Sequence, residues 1–527
     1  MVSETKAQRV ERIKREKDGL DVIGAIAEYA RSGSDLHPDD IDRFKWYGLY
    51  TQNRNLQDEE DPTLYFMLRV KLEAGEVTTE QLKTLGYISN SYARSTADIT
   101  TRQDLQFHWI EVRHLPVIFA LLEHVGLSTK MAAGDCPRNV VSCPVDGIDH
   151  GAVSDVRPLV RAVNALFRDN RDFSNLPRKF KIGISGCRNH CISHEIQDLS
   201  FTAVDHPSGR VLFDVSVGGG LAKNRRIASH IGYATAEQVV PIAEAVATLY
   251  RDEGNRENRS KARLGHLVDA WGLDAFVAQL HALLGFELLP PQVQAYTPYA
   301  LRGHFGAHAS SVEGRSYIGC AVTSGRIGGG GLLRLAKAMQ RHRAERAKFT
   351  TTQNLVVLDV PESRVGAMTG ELELAGLSPN PTPFKARTLA CTGLNFCKFA
   401  ISETKELARE IVDYLNARFP DFTEPVSISV NGCPNACAHP HIVDIGFVGT
   451  VLKRGERRIS GFELIFGGHL EGERSAFGEK SGIKVAPEEA AGIIERLLLQ
   501  YLDSGYETFG AFLREQAYDT SAISAVA

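Results

Sequence analysis

The chain has 527 residues, 43% of them hydrophobic and 24% charged, with a formal net charge of −4. That composition excludes a disordered chain, because there is ample apolar surface to bury, and the mild acidity argues against a general nucleic-acid binder. No apolar run approaches the ~18 residues of a membrane span, and the densely charged MVSETKAQRVERIKREKDGLDV lacks the apolar stretch of a signal peptide. A cytoplasmic protein is expected, in which the nine cysteines are reduced and the clustered ones act as ligands rather than disulfides.

Taken in chain order, Val10, Ile13, Leu20, Ile23 and Ile26 recur at helical spacing and predict a helical start. An Asp- and Pro-rich loop leads to an aromatic stretch at 44–50. Residues 65–72 alternate like a strand, 78–88 read as a helix, 98–107 as a turn plus strand, and 115–126 as a helix. The order strand–helix–strand–helix predicts a small α+β module.

The pattern then returns about 250 residues on, too long a period for a solenoid. Residues 317–322 match the first strand and 330–343 the helix. Residues 349–355, Phe-Thr-Thr-Thr-Gln-Asn-Leu, match Ile-Thr-Thr-Arg-Gln-Asp-Leu at 99–105, and 365–376 match the second helix. A second pair repeats likewise: the loop containing Cys187 and Cys191 parallels that containing Cys433 and Cys437, and the glycine runs at 218–220 and 467–468 follow each. The chain is therefore a two-fold internal duplication with two modules per half. Helices are predicted at 234–251 and 264–285, a boundary at the proline pair Pro290-Pro291, and a last helix from Pro487 to Leu502.

Chemistry concentrates in the second half. Cys391 and Cys397 form a C-x5-C pair, and Cys433 and Cys437 a C-x3-C pair, in loops rich in Gly, Pro and Asn. Four thiolates from two loops suit a cubane iron–sulfur cluster. A zinc site, which usually draws on C-x2–4-C pairs, and unliganded buried thiols stay open on spacing alone.

These motifs resemble the sirohaem-dependent nitrite/sulfite reductase family, and most of all its bacterial ferredoxin-dependent branch, from Arg43 to Ala511. The resemblance implies an α+β fold, internally duplicated, with two ferredoxin-like half-modules and two larger mixed α/β cofactor-binding modules around one sirohaem. The expected units are a helical extension (1–42), the first ferredoxin-like half-module (43–128), a sirohaem and substrate module (129–290), the second half-module (296–380) and a 4Fe-4S and sirohaem module (381–527). It implies a 4Fe-4S cluster on Cys391, Cys397, Cys433 and Cys437, with Cys437 bridging to the sirohaem iron and Asn435 beside the cofactor. Arg69, Arg138, Lys179 and Lys181 are expected around the substrate, and Arg102 at the macrocycle. Lys261 and Arg263 are weaker candidates for its carboxylates. Lys179 and Lys181 share a face if extended, since side chains alternate; a solvated basic strand edge is the plainer reading.

The duplication is asymmetric. Arg102 stands opposite Thr352, and Lys179 and Lys181 opposite Glu424 and neutral residues near Ser427, so one active site is expected rather than two. The first half also carries Cys136, Cys143, Cys187 and Cys191, with His190, His194 and Asp198 nearby. They read as a second cluster, as another metal or redox pair, or as buried thiols left from duplication, and the last is the expectation taken. The position matching a cysteine that some relatives join to a tyrosine is Ala133, so no such link to Tyr50 is expected.

The glycine runs at 218–220 and 328–331 lack a dinucleotide or Walker pattern and read as close-approach loops, the first against the cofactor. Without a flavin or nicotinamide domain, electrons come from another protein, a ferredoxin-type donor. The basic run Arg334, Lys337, Arg341, Arg343, Arg346 and Lys348 could steer it, or could be a solvated helix face. No nucleic acid or membrane partner is expected. The resemblance implies assimilatory six-electron reduction of sulfite to sulfide, or of nitrite to ammonium. Lys-x-Lys at 179–181 tilts toward sulfite, because the family's plant-type nitrite reductases tend to carry Lys-x-Asn there. A non-reductase relative and a structural metal-binding protein are the readings of other classes.

Overall fold

The computed structural model describes residues 4–189, 191–206, 208–222, 224–291, 303–472, 474–516 and 518–519. The start is helical: α1 (Lys6–Glu16), α2 (Ile23–Ser32) and α3 (Pro38–Arg43). Thr5 and Gln8 cap α1 reciprocally. Lys14 of α1 is buried; its ammonium donates to the Leu176 carbonyl at 2.9 Å and pairs with Glu11 at 2.5 Å and Asp135 at 3.5 Å. Arg259 grips the same Asp135 at 2.7 and 3.0 Å. The extension thereby braces the loop that carries Arg138.

The first half-module contains β1 (Leu49–Thr51), β2 (Phe66–Val70), β3 (Glu76–Thr78), α4 (Thr79–Tyr92), β4 (Asp98–Ile99), β5 (Leu105–Ile110) and α5 (Leu115–His124). A second large module adds α6 (Arg157–Phe167), β6 (Ile182–Ser185), β7 (Leu199–Asp205), β8 (Val211–Val217), β9 (Ser229–Ala234), α7 (Val239–Glu253), α8 (Leu264–Trp271) and α9 (Leu273–Leu284). The second half repeats the plan with β10 (Gly306–Ala309), β11 (Arg315–Cys320), α10 (Gly328–His342), β12 (Arg346–Phe349), β13 (Leu355–Pro361) and α11 (Val365–Leu374). It ends in α12 (Pro383–Arg387), β14 (Thr388–Ala390), α13 (Lys405–Arg418), β15 (Ile428–Asn431), β16 (Ile445–Arg454), β17 (Arg457–Phe466), β18 (Glu479–Val485), α14 (Ala490–Leu502) and α15 (Phe509–Arg514).

Four sheets result, ordered β1-β2-β5-β4, β10-β11-β13-β12-β3, β6-β7-β8-β9 and β14-β15-β16-β17-β18. The half-modules complete each other. Strand β3 leaves its own half to pair antiparallel with β12, and Asp98 of β4 makes the reciprocal bridge to Arg326. One apolar core accordingly draws Phe66, Leu68 and Leu85 from the first half and Leu332, Leu335 and Phe349 from the second. Helices α4 and α10 meet closely at glycines: a Cβ on Gly329 would stand 2.8 Å from the Gly86 carbonyl oxygen. The two larger sheets each have a core of their own.

Register sharpens several expectations. The Lys181 amide donates to Asp198 at 2.7 Å, and the Ser427 amide to Asp444 at 2.8 Å, so Lys181 is the counterpart of Ser427. Lys179 then stands opposite Pro425, one residue beyond Glu424. The helix predicted over 264–285 is two, α8 and α9, bent by 107° at Gly272, whose φ of 81° ends the first. Helix α10 starts at Gly328, so the second glycine run opens a helix rather than a loop. The basic run is not one face: Arg346 and Lys348 lie on β12, where Arg346 pairs with Asp359 at 2.8 Å and Lys348 is buried. The predicted start of the second half-module at 296, and His190, fall outside the described residues. Among the described residues no single helix is long and apolar enough to cross a membrane.

Candidate functional site

Two matching turns hold the large modules. Gln103 and Gln353 both adopt left-handed backbone, with φ of 59° and 61°. The Gln103 amide donates to the carbonyls of Ser142 and Phe349 at 3.0 and 2.8 Å; the Gln353 amide donates to those of Ala390 and Ile99 at 2.9 and 3.1 Å. Each turn is thus sewn to the segment just before a cysteine, which pairs Cys143 with Cys391.

Cys391 and Cys397 lie on the loop after β14, Cys433 and Cys437 on the loop after β15. Backbone N–H groups point at their sulfurs: Gly432 donates to the Cys391 sulfur at 3.2 Å, Phe399 and Ala400 bond that of Cys397, and Asn435 bonds that of Cys433. Burial, with the neighbouring Cys437, pushes the Cys391 thiol up to about 12 and the Cys433 thiol to about 11. Adjacent buried thiols ionise together only around a cation, and amide donors to sulfur are what an anionic cluster needs. Several hydrogen bonds tie the first half to this loop pair. Gln106 donates to Thr392 at 2.8 Å, and the Asn53 amide to the Phe396 carbonyl at 2.8 Å. His108 stacks on Phe396, centroids 3.9 Å apart, and contacts Asp98 at 3.2 Å.

Beside Cys437, cations gather around a partly accessible space. Phe180 is fully buried and its backbone is held by Cys136 and Arg138, so Lys179 and Lys181 flank it on the opposite side. Both lysines keep accessible surface, yet burial lowers their pKa values. For Lys179, burial is followed by repulsion from Lys181 and Arg263. Lys181 is pushed to about 7 by burial and by Arg102 and Arg263. The Cys437 sulfur acts on both. Arg69, from β2, reaches the Ala132 carbonyl at 3.3 Å, and Arg138 those of Ala132 and Gly134 at 3.1 and 2.6 Å. The buried Nε atoms of both have no hydrogen-bond partner. Tyr50 is half-buried, and desolvation disfavours its ionised form, but Arg138 and Arg69 outweigh this and lower its pKa.

The remaining candidates are placed differently. Arg102 donates to the Asn139 carbonyl at 3.0 Å, to Gln197 at 2.6 Å and to the Ile182 carbonyl at 2.5 Å, so its guanidinium binds protein through all three nitrogens. Arg263 forks onto Asp198 at 3.0 and 2.6 Å at the edge of this space. Lys261 is exposed, as is Asn435 on the cluster loop. Gly219 closes on protein, since a Cβ there would stand 2.5 Å from the Gln197 carbonyl oxygen. His439 was not foreseen. It is buried with φ of 64° and an unpartnered Nδ1, and burial plus Lys181, Arg102 and Lys179 hold its pKa down at about 3. Its place two residues after Cys437 was the only signal in the sequence.

The first-half cysteines separate. Cys136 is buried alone, its sulfur near the Ala133 carbonyl at 2.9 Å. Cys143, Cys187 and Cys191 converge instead with His304, their ligand atoms all within 4.8 Å of one another. His194 contacts Glu195 at 3.4 Å and Asp198 is held by Arg263, so neither joins them.

The sequence matches two family descriptions: "Nitrite and sulphite reductase 4Fe-4S domain" over 133–288 and 384–511, and "Nitrite/Sulfite reductase ferredoxin-like half domain" over 57–125 and 310–375. The chain is 36% identical to sulfite reductase [ferredoxin] 1 of Mycolicibacterium paratuberculosis, covering 95% of this chain and 94% of the relative. It is 31% identical to a ferredoxin–nitrite reductase of Synechococcus elongatus, covering 97% and 98%. The solved structure of the Mycobacterium tuberculosis NirA protein superposes with a TM-score of 0.91 at 33% identity, covering 98% of this chain and 97% of that one.

Proposed function

Because the chain belongs to the nitrite and sulphite reductase family, whose members carry sirohaem and a 4Fe-4S cluster, we propose that it reduces sulfite to sulfide with six electrons from a ferredoxin-type donor. Cys391, Cys397, Cys433 and Cys437 would hold the cluster, and the amides around their sulfurs fit an anionic group. Cys437, the one cysteine of the four whose sulfur also acts on both lysines, is the candidate bridge to the haem. When bound, the two groups supply an iron for the substrate's central atom and a store that delivers electrons singly.

The observation that carries this reading is the concentration of Lys179, Lys181, Arg69 and Arg138 near Cys437, where Asp198, already forked by Arg263, only partly offsets the charge on Lys181. Such a group of cations keeps a residual mutual repulsion that bound polyanions relieve. The carboxylates of sirohaem and a small oxyanion are the fitting occupants. The cations bind and orient the anion, stabilise charge on its oxygens, and the lysines pass protons to oxygens leaving as water. A lysine with a pKa lowered toward neutrality is a better acid for that task than a free one. Two lysines favour sulfite, which is partly dianionic at neutral pH, and relatives at 35–36% identity are named sulfite reductases. Nitrite fits the same pocket with less charge to offset.

The donor would dock where the cluster loop nears the surface. Lys398 and Phe399 follow Cys397 directly and are exposed, and Lys45 lies close enough to Lys398 to help burial lower its pKa. Steady-state turnover of sulfite and nitrite with reduced ferredoxin tests the proposal. Sulfide formation with the larger kcat/KM for sulfite supports it; ammonium as the only reduced product rejects it.

A further inference from the structure

Within the first half, at the pseudo-symmetric mate of the cluster loops, four ligand atoms converge on a point. The Cys143 sulfur stands 3.5 Å from that of Cys191, and the Cys191 sulfur 3.7 Å from that of Cys187. His304 Nε2 lies 3.3 Å from the Cys143 sulfur, 3.8 Å from that of Cys187 and 3.0 Å from that of Cys191. All four residues are buried except where Cys191 and His304 border a small recess lined also by Pro144, Gly303 and Thr351. Val145, Ile148, Tyr317, Val356 and Leu358 pack around the sulfurs.

These spacings are the edges of a small tetrahedron. Zinc–sulfur bonds of about 2.3 Å and a zinc–nitrogen bond of about 2.0–2.1 Å place the sulfurs about 3.8 Å apart and the nitrogen about 3.5 Å from each, in a regular tetrahedral site. A cubane cluster holds its ligand sulfurs much farther apart, because four metal ions stand between them. The four cysteines of the second half accordingly do not form so tight a group. We propose that Cys143, Cys187, Cys191 and His304 bind one zinc ion, in a closed structural site separate from the redox centres.

Four protein ligands leave no open coordination position, so the ion has a structural role and not a catalytic one. It clamps two loops of the first half to the segment before β10 of the second. The Thr351 hydroxyl supports the clamp by donating to the Cys191 carbonyl at 2.8 Å. Duplication thus leaves metal loops in both halves with different nuclearity: the second half has a fourth cysteine, Cys397, on its own loop, while the first half takes its fourth ligand from across the interface.

The test is metal analysis of the holoenzyme as purified. About one zinc per chain is expected beside about five irons, four in the cluster and one in the haem. X-ray absorption at the zinc edge should show three sulfurs at about 2.3 Å and one nitrogen at about 2.0 Å. A Cys187→Ser/His304→Ala variant should lose the zinc and keep its irons. If that variant fails to fold, the wild-type zinc count and absorption spectrum still decide. Zinc below about a tenth of an equivalent overturns the proposal, as does an iron content near nine per chain, which would mean a second cubane. The zinc count is independent of which anion the enzyme reduces.

Discussion

The Thr101 hydroxyl, in the first half, donates a 3.1 Å hydrogen bond to the backbone carbonyl of Cys437 in the second. Its symmetry mate is the Thr351 bond to Cys191. Each half thus steadies a cysteine loop of the other, and the interface between halves is also the frame of the site. Replacing Thr101 with Val keeps the shape and removes the donor. It should cost about 1 kcal/mol of stability and speed the release of cluster iron to a chelator. Thr351→Val should cost a similar amount and leave that release rate unchanged. Equal acceleration in both variants would show that the bond has no local role.

Cys437→Ser should disturb both the cluster and haem absorption, because this sulfur lies beside the lysines as well as its three partners. Cys136→Ser, deep in the shared core, should retain both spectra while lowering Tm. Normal spectra and turnover in Cys437→Ser would remove the bridging role.

The site predicts a pH dependence. Burial, Arg102 and Arg263 lower Lys181 from 10.5 to about 7, while Asp198 and Cys437 oppose them, and Lys179 and His439 also lie close by. The ammonium therefore loses its proton as pH rises through about 7 in the anion-free protein. Bound carboxylates and substrate favour the charged form and raise that value, so kcat/KM for sulfite should fall along an alkaline limb between about 7 and 10.5. Substrate binding on that limb takes up a proton. Lys181→Arg, charged throughout, should move the limb upward; an unmoved limb assigns it elsewhere.

Charge reversal separates two candidate docking faces. Lys398→Glu should raise the KM for an acidic ferredoxin severalfold, more at low salt, while Lys337→Glu on α10 should not. The reverse result would move the donor to α10.

The duplication was legible because 99–105 and 349–355 share a sequence that does a specific job: Gln103 and Gln353 occupy a left-handed turn and make matching bonds. Spacing alone left Cys391, Cys397, Cys433 and Cys437 open between a cluster, zinc and buried thiols, and the family resemblance is what points them to a cluster. His304 was not legible, since it lies 113–161 residues from the cysteines it joins and a single histidine has no period. Along the chain Cys136 and Cys143, with six residues between them, look like a counterpart of Cys391 and Cys397, but the three-dimensional register matches Cys143 with Cys391 and leaves Cys136 apart. The break at Gly272 was hidden because the flanking segments are both apolar at helical spacing. Basic residues counted along the chain at 334–348 looked continuous, yet helix and strand turn them to different sides.

The most direct test of the central claim, that the paired lysines meet an anion of higher charge than nitrite, is Lys181→Asn. The variant keeps a donor and removes one charge. A charge-assisted hydrogen bond is worth about 1.5–3 kcal/mol, so kcat/KM for sulfite should fall roughly ten- to hundredfold. Nitrite should lose clearly less, measured at one pH and salt with saturating reduced donor. An equal loss for both anions, or none for either, would contradict the account.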